Sequence, residues 1–76
     1  MSFQAYLDTI ERTTGKTAAD LRRMAADKGF TVDDRLIPGV KATAVTDWLK
    51  TELGLGHGHA MAVYALLKGA KKEGDG

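Results

Sequence analysis

The sequence contains no cysteine, one proline and one serine, and these shortages exclude several classes of function. Without cysteine the chain has no disulfide, no thiolate metal site and no cysteine nucleophile, which suits a reducing cytoplasm. The single serine is Ser2, at the very N-terminus, and the carboxylates fall mostly on helix faces that we expect to be solvated. Because no acid–base pair with a pocket emerges, we expect a protein that is not an enzyme.

The chain also lacks a long apolar run and a strong charge of one sign. Its longest fully apolar segment, residues 60–67, is far shorter than the roughly 20 residues that cross a bilayer. The N-terminus has neither a basic region nor an apolar segment, so we expect no signal peptide. The net charge of +1 argues against an intensely basic nucleic-acid binder, although residues 41–72 carry a surplus of lysine. These features predict a cytoplasmic protein without a membrane partner.

The length of 76 residues and the hydrophobic content of 43% predict one small globular domain. We expect the domain to span residues 1–70 and residues 71–76 to form a disordered tail. The predicted fold class is all-α, a compact domain of four helices in which the C-terminal helix is central. Turn-forming residues in the segment 30–40 predict an irregular loop, whose apolar residues pack against the core.

Capping residues and glycines predict the bounds of the first two helices. Ser2 caps the first helix, which ends at Gly15. Thr17 with Asp20 resembles a capping box, and the second helix then runs to about Lys28.

The last two helices are predicted from their apolar residues. A third helix covers about residues 41–53, with Trp48 as its largest core anchor. A fourth begins at about Gly58 or His59 and ends near Gly69. It contains the run of apolar residues, whose alanine, methionine and leucine favour helix over strand. Because a helix that is apolar on every side must be buried on most sides, the other helices should pack around it.

The loop before the fourth helix resembles the hairpin of helix-hairpin-helix DNA-binding motifs. That pattern has Gly, an apolar residue, Gly, three variable residues, Ala and a later apolar residue, filled here by Gly54, Leu55, Gly56, Ala60 and Val63. Glycines leave the N–H groups of a helix start open, and the positive end of the helix dipole attracts a phosphate to them. The predicted anion-binding or nucleic-acid-binding site consists of Gly54, Gly56, His57, Gly58, His59 and Lys68.

Two features depart from the hairpin pattern. His57 stands where the motif usually has proline, and the variable residues contain no Lys or Arg. The structural alternative is a tight glycine turn that joins two packed helices and binds nothing. His57 and His59 are also candidate metal ligands, but the sequence supplies no third ligand, so we expect no metal and no cofactor.

A different class of function remains open. The apolar surplus around the fourth helix, together with Trp48 and Tyr64, can leave an uncovered patch that binds a protein partner or a second copy. The two hypotheses are therefore a binder of nucleic-acid backbone or another anion, and a protein–protein interaction or homodimerisation domain. Salt separates them, because backbone binding weakens steeply with salt and apolar association depends on it little.

Several segments carry a further resemblance that extends over nearly the whole chain, up to Lys68. They are residues 1–8 (MSFQAYLD), 14–17 (TGKT), 40–42 (VKA), 48–50 (WLK) and 53–62 (LGLGHGHAMA). On these residues the chain is similar to a bacterial family of small helical domains of unknown function, whose members occur alone or at the front of a longer chain. The resemblance implies a self-contained bacterial domain, and it implies no activity.

Overall fold

The computed structural model describes residues 2–74, which form four helices and a small β-hairpin. The helices are α1 (Phe3–Thr14), α2 (Ala18–Lys28), α3 (Ala42–Leu53) and α4 (His57–Lys68), and the strands are β1 (Thr31–Val32) and β2 (Arg35–Leu36). The predicted all-α class with four helices is confirmed. Within the described part of the chain, no helix has the length and apolar character needed to cross a membrane.

The first two helices begin at the caps that the sequence predicts. The Ser2 hydroxyl accepts a hydrogen bond from Ala5 N–H at 3.2 Å. In the capping box, Thr17 Oγ1 accepts from Asp20 N–H at 3.2 Å and Asp20 Oδ2 accepts from Thr17 N–H at 3.0 Å. Both helices end at the glycines that the sequence marks as their stops. Local side chains therefore satisfy some of the N–H groups that a helix start leaves unpaired.

Residues 30–40 are more regular than the predicted loop, because β1 and β2 pair in an antiparallel hairpin. Its turn residues Asp33 and Asp34 have φ of 53° and 62°. Positive φ at both central positions gives a tight turn that matches the twist of paired strands. The sequence predicts this turn but not the strands, because strands this short show no alternating pattern.

Helix α4 is the centre of the core, as predicted. It packs against α1, α2, α3 and β2, and five of its residues are buried. The most completely hidden large side chains come from all four helices: Ile10, Leu21, Val45, Leu49, Val63 and Leu67. Burying one such side chain contributes about 1.5–3 kcal/mol, so these contacts fix α4 where the other helices meet.

Trp48, which the sequence predicts as the largest core anchor of α3, packs against the core from its edge. It is half-buried and lies edge-on against Phe30, with ring centroids 5.3 Å apart. The fully hidden side chains of α3 are instead the aliphatic Val45 and Leu49. The indole therefore covers the rim of the core, while smaller aliphatic side chains fill its interior.

The C-terminal segment contacts the first two helices. Arg22 and Glu73 form a bidentate ion pair, in which Arg22 Nη1 donates to Glu73 Oε2 at 2.7 Å and Arg22 Nη2 donates to Glu73 Oε1. Hydrogen bonding from this guanidinium lowers the pKa of Glu73 to about 2. Gly74 N–H donates to the Gln4 side-chain oxygen at 2.7 Å. Part of the predicted disordered tail thus has specific partners, and its last two residues lie outside the described residues.

Candidate functional site

The hairpin between α3 and α4 consists of Gly54, Leu55 and Gly56. Gly54 has a φ of 66°, a left-handed conformation that suits glycine, and its N–H donates to carbonyls of the last turn of α3. Leu55 is 8% exposed and anchors the turn in the core. Gly56 has extended backbone angles and caps α4, which begins at His57 and thus slightly earlier than predicted. The loop therefore holds the first turn of α4 in a fixed position.

The start of α4 has a row of N–H groups without partners. The first hydrogen bond inside the helix runs from Ala60 N–H to the Gly56 carbonyl at 2.9 Å. No side chain caps the helix, and the N–H groups of His57, Gly58 and His59 have no acceptor among residues 2–74. His57 and Gly58 are exposed. Open N–H groups at the positive end of a helix dipole form a site that suits an oxyanion.

Gly58 lies inside the first turn of α4, where the backbone conformation does not require glycine. Its φ is not positive, unlike that of Gly54. Glycine inside a helix costs about 0.5–1 kcal/mol relative to alanine. A Cβ at Gly58 would lie 3.7 Å from the Cε1 and hydroxyl oxygen of Tyr6, in ordinary van der Waals contact. The missing side chain therefore leaves the ring of Tyr6 and the nearby N–H groups uncovered.

Two cavities flank the start of α4. The first, which we call the apolar groove, lies between α1 and α4 and has a volume of about 480 Å³. It is lined by Phe3, Tyr6, His57, Gly58, Met61, Ala62, Ala65 and Lys71. The second, which we call the threonine notch, has a volume of about 270 Å³. It is lined by Thr9, Thr13, Thr14, Leu53, Gly54, Leu55, Gly56 and His59.

The two histidines face different cavities. His57 lines the apolar groove, and His59 lines the threonine notch, as expected for residues two apart on a helix. The His59 ring lies edge-on to Tyr6, with centroids 5.0 Å apart, and its Nε2 is buried without a hydrogen-bond partner. Within the part of the chain that the structure describes, no three potential ligands form a group able to hold a metal ion.

Lys68, which the sequence assigns to the site, lies at the other end of α4. Its amine is 5.8 Å from the centre of the Tyr64 ring. At 1.5 Å per residue it is about 16 Å along the helix axis from His57. A phosphate bound at the helix start therefore receives no direct contact from Lys68. The structure places the other five residues of the predicted site together, in the hairpin and the first turn of α4, and this lysine apart from them.

The structure also adds residues of α1 that the hairpin motif does not reveal. Tyr6 lines the apolar groove and meets His59, and Thr9 lines the threonine notch. Arg12 donates to the Thr9 hydroxyl at 3.4 Å, which places a cation beside the notch. No local signal marks these residues, because their role depends on how α1 packs against α4.

The open apolar surface differs from the predicted one. Among residues 2–74, the exposed large apolar side chains are Val32 and Met61, at 61% and 38%. Trp48 and Tyr64, the centre of the predicted association surface, are both half-buried. The apolar surface that α4 presents to solvent is therefore at Met61, on the lining of the apolar groove.

Comparison with known proteins places the domain in a family. No curated protein and no solved structure matches the chain. A family model matches residues 2–69, a span that contains all four helices, the β-hairpin and both cavities except for Lys71. The expected membership of a small family of unknown function is thus confirmed, while the bacterial source stays a prediction. The chain belongs to the family described as a domain of unknown function (DUF4287).

Proposed function

We propose that this domain is a non-enzymatic binding module that holds the phosphate backbone of a nucleic acid at the start of α4. The observation that carries the proposal is the row of unpartnered N–H groups at His57, Gly58 and His59, of which the first two belong to exposed residues. A phosphate oxygen placed there accepts hydrogen bonds from them at the positive end of the helix dipole. Because such contacts involve only the backbone of the nucleic acid, binding is largely independent of base sequence.

The geometry of the hairpin supports the resemblance to helix-hairpin-helix motifs. Gly54 makes the left-handed turn, and Leu55 inserts into the core. Ala60 and Val63, the two later positions of the pattern, are fully buried. The residues that carry the resemblance therefore orient α4 so that its first turn meets solvent.

Weak binding is expected from the charge distribution. The formal net charge is +1, and the two flanking cavities have Lys71 on the lining of the apolar groove and Arg12 bonded to Thr9 of the threonine notch. Each phosphate contact lowers the logarithm of the binding constant by about 0.9 for every tenfold rise in salt. Since few phosphates are neutralised, we expect a low affinity already at low salt, so the loss of these contacts takes binding below detection at high salt.

The position of the single serine supports the non-enzymatic part of the proposal. The Ser2 hydroxyl serves as the cap of α1, and there is no cysteine in the sequence. The commonest nucleophiles are thus either missing or used in the fold. The cytoplasmic location and the bacterial source remain predictions from the sequence.

The proposal is tested by an NMR titration of the backbone amides of the whole chain with a short DNA duplex at low and at high salt. We expect shifts centred on His57, Gly58 and His59 at low salt, and their disappearance at high salt. The capped start of α2 serves as an internal reference, because the N–H groups of Thr17 and Asp20 there already have partners. An absence of shifts at low salt would exclude the proposed site.

The matched variant is Gly56→Asp. Gly56 has the backbone angles of a helix cap, and a Cβ there meets nothing within 4 Å, so aspartate fits and caps the N–H groups of the first turn. We expect it to abolish duplex binding while keeping or slightly raising stability. Gly56→Ala is the control, since it adds a Cβ without an acceptor and should retain the shifts.

Association with a protein partner through an apolar surface is the second candidate function. The structure supports it less at the predicted surface near Trp48 and Tyr64, because both side chains are half-buried. Trp48 packs against Phe30, and the Lys68 amine lies over the Tyr64 ring. The exposed Met61 is the observation that favours association elsewhere on α4. A mass that rises with protein concentration and resists salt would favour this candidate over backbone binding.

A further inference from the structure

The apolar groove has the size and composition of a binding site for a small group. Its volume of about 480 Å³ lies within the range of roughly 300–1,000 Å³ that is usual for ligand sites. Phe3 and Ala62 are nearly buried and form its floor, while Met61 is partly exposed. Tyr6 adds an aromatic ring from α1. A flat apolar group that binds in the groove therefore removes part of its surface from contact with water.

Gly58 connects this groove to the proposed phosphate site. Its N–H belongs to the unpartnered row at the start of α4, and its missing side chain keeps the Tyr6 ring open to the groove. A side chain at this position would contact Tyr6 at 3.7 Å. One residue thus borders both an oxyanion site and an aromatic surface.

The charges around the groove indicate the kind of occupant. None of the described residues that line it is acidic, and it runs from His57 at the helix start to the cation Lys71. An uncharged apolar segment of a protein partner would fill the floor but leave the N–H groups and Lys71 without partners. A nucleotide unit combines a flat base that stacks on aromatic rings with a phosphate on either side.

We infer that the groove receives one unstacked base of a single-stranded nucleic acid, while the adjoining phosphate accepts hydrogen bonds from the first turn of α4. This inference rests on the proposed function and narrows it from nucleic-acid backbone in general to single strands. A base inside a duplex is paired and stacked, so it does not reach the groove without being extruded. Duplex DNA therefore obtains the phosphate contacts alone.

The test compares ligands of equal length at low salt: a single-stranded oligothymidylate, the same strand with abasic sites, and a duplex. We expect the base-bearing strand to bind about 5- to 150-fold more tightly than the abasic strand, the ratio that one stacked base supplies. Amide shifts at Phe3, Tyr6 and Met61 should appear only with the base-bearing strand. Shifts at His57 and Gly58 should appear with all three ligands.

Gly58→Leu is the variant that fills the groove. Its side chain covers Tyr6, so the base-bearing and the abasic strand should bind this variant with equal affinity, whatever the new side chain does to the phosphate contacts that both strands share. Ala44→Leu is the control, because it adds the same exposed side chain to the first turn of α3, away from the groove. It should leave every affinity unchanged.

The outcomes distinguish failure of the base site alone from failure of both the base site and the proposed phosphate binding. Equal affinity for the base-bearing and abasic strands, or for strand and duplex, would overturn the base site and leave backbone binding intact. Failure of all three ligands to bind would overturn both. Self-association that Gly58→Leu abolishes, in the absence of any oligonucleotide binding, would assign the groove to a second copy of the chain and also overturn both.

Discussion

Helices α2 and α4 begin in opposite ways. At α2, Thr17 and Asp20 satisfy each other's N–H groups, and the Asp20 carboxylate lies beside the positive end of the dipole. Hydrogen bonds from the Thr17 backbone and side chain lower the pKa of Asp20 below its ordinary value. At α4, Gly56 offers no side chain, and the first N–H groups stay open. The chain thus supplies its own anion to one helix and leaves the other able to accept one from outside.

The first turn of α4 therefore lacks the residues that would stabilise it most. A serine, threonine or aspartate in place of Gly56 would stabilise the helix start, and alanine in place of Gly58 would suit the helix better. The structure offers space for either change. The glycines leave the N–H groups of this turn uncovered, and the stability of α4 comes from the burial of its later residues, such as Val63 and Leu67.

The largest expected effect comes from Leu55→Ala, which removes the anchor of the α4 start. Leu55 is 8% exposed, and deleting its side chain should lower the free energy of unfolding by about 2–4 kcal/mol. That is a large part of the roughly 4–11 kcal/mol expected for a domain of this size. Urea unfolding measures the loss, and hydrogen exchange of the Ala60 and Met61 amides reports whether the first turn of α4 loosens.

Leu21→Ala is the matched control for that prediction, because Leu21 is also a buried leucine, 1% exposed, but lies in the first part of α2. We expect a similar loss of stability with normal duplex binding wherever the protein remains folded. Leu55→Ala should weaken both stability and binding. If both variants retained the same affinity for the duplex, the position of the hairpin would not matter to the site.

The sequence predicts more of the fold than of the site. The helix starts at Ser2 and Thr17 are each determined by a few neighbouring residues. The apolar segment of residues 60–67 requires that α4 be buried on most sides. The role of Tyr6 is different, because it arises only when α1 packs beside the first turn of α4. Contacts between residues far apart in sequence, such as Arg22 with Glu73, leave no local pattern either.

A smaller effect is expected from Thr17→Ala, which makes the start of α2 more like that of α4. Loss of the threonine cap should lower the free energy of unfolding by about 1 kcal/mol. The pKa of Asp20 should rise only part of the way toward its ordinary value, because alanine keeps the backbone N–H that lowers this pKa most and removes only the side-chain hydrogen bond. Urea unfolding and an NMR titration of the Asp20 carboxyl measure the two changes. Thr51→Ala, on the exposed side of α3, is the control and should change neither.

The smallest expected effect concerns Glu73 of the C-terminal segment, which lies beside the start of α2. Glu73 lines a cavity together with Thr17 and Ala18, and its carboxylate pairs with Arg22. The Glu73 side chain is 47% exposed, so solvent screening limits the pair to at most about 1 kcal/mol. Glu73→Gln should therefore lower stability only slightly at neutral pH.

The stabilisation by the Arg22–Glu73 pair should decrease as the pH falls. The pKa of Glu73 is lowered from 4.5 to about 2 in the folded chain, so the folded state favours the ionised carboxylate. The stabilisation by the pair is thus complete above about pH 4.5 and is lost as the pH falls toward 2. The difference in urea midpoint between wild type and Glu73→Gln should shrink over that interval, whereas Glu52→Gln, at an exposed position of α3, should show no such trend. A difference that stayed constant down to pH 2 would mean that Glu73 acts through its packing beside α2, and that the covered start of α2 owes nothing to the charge of the tail.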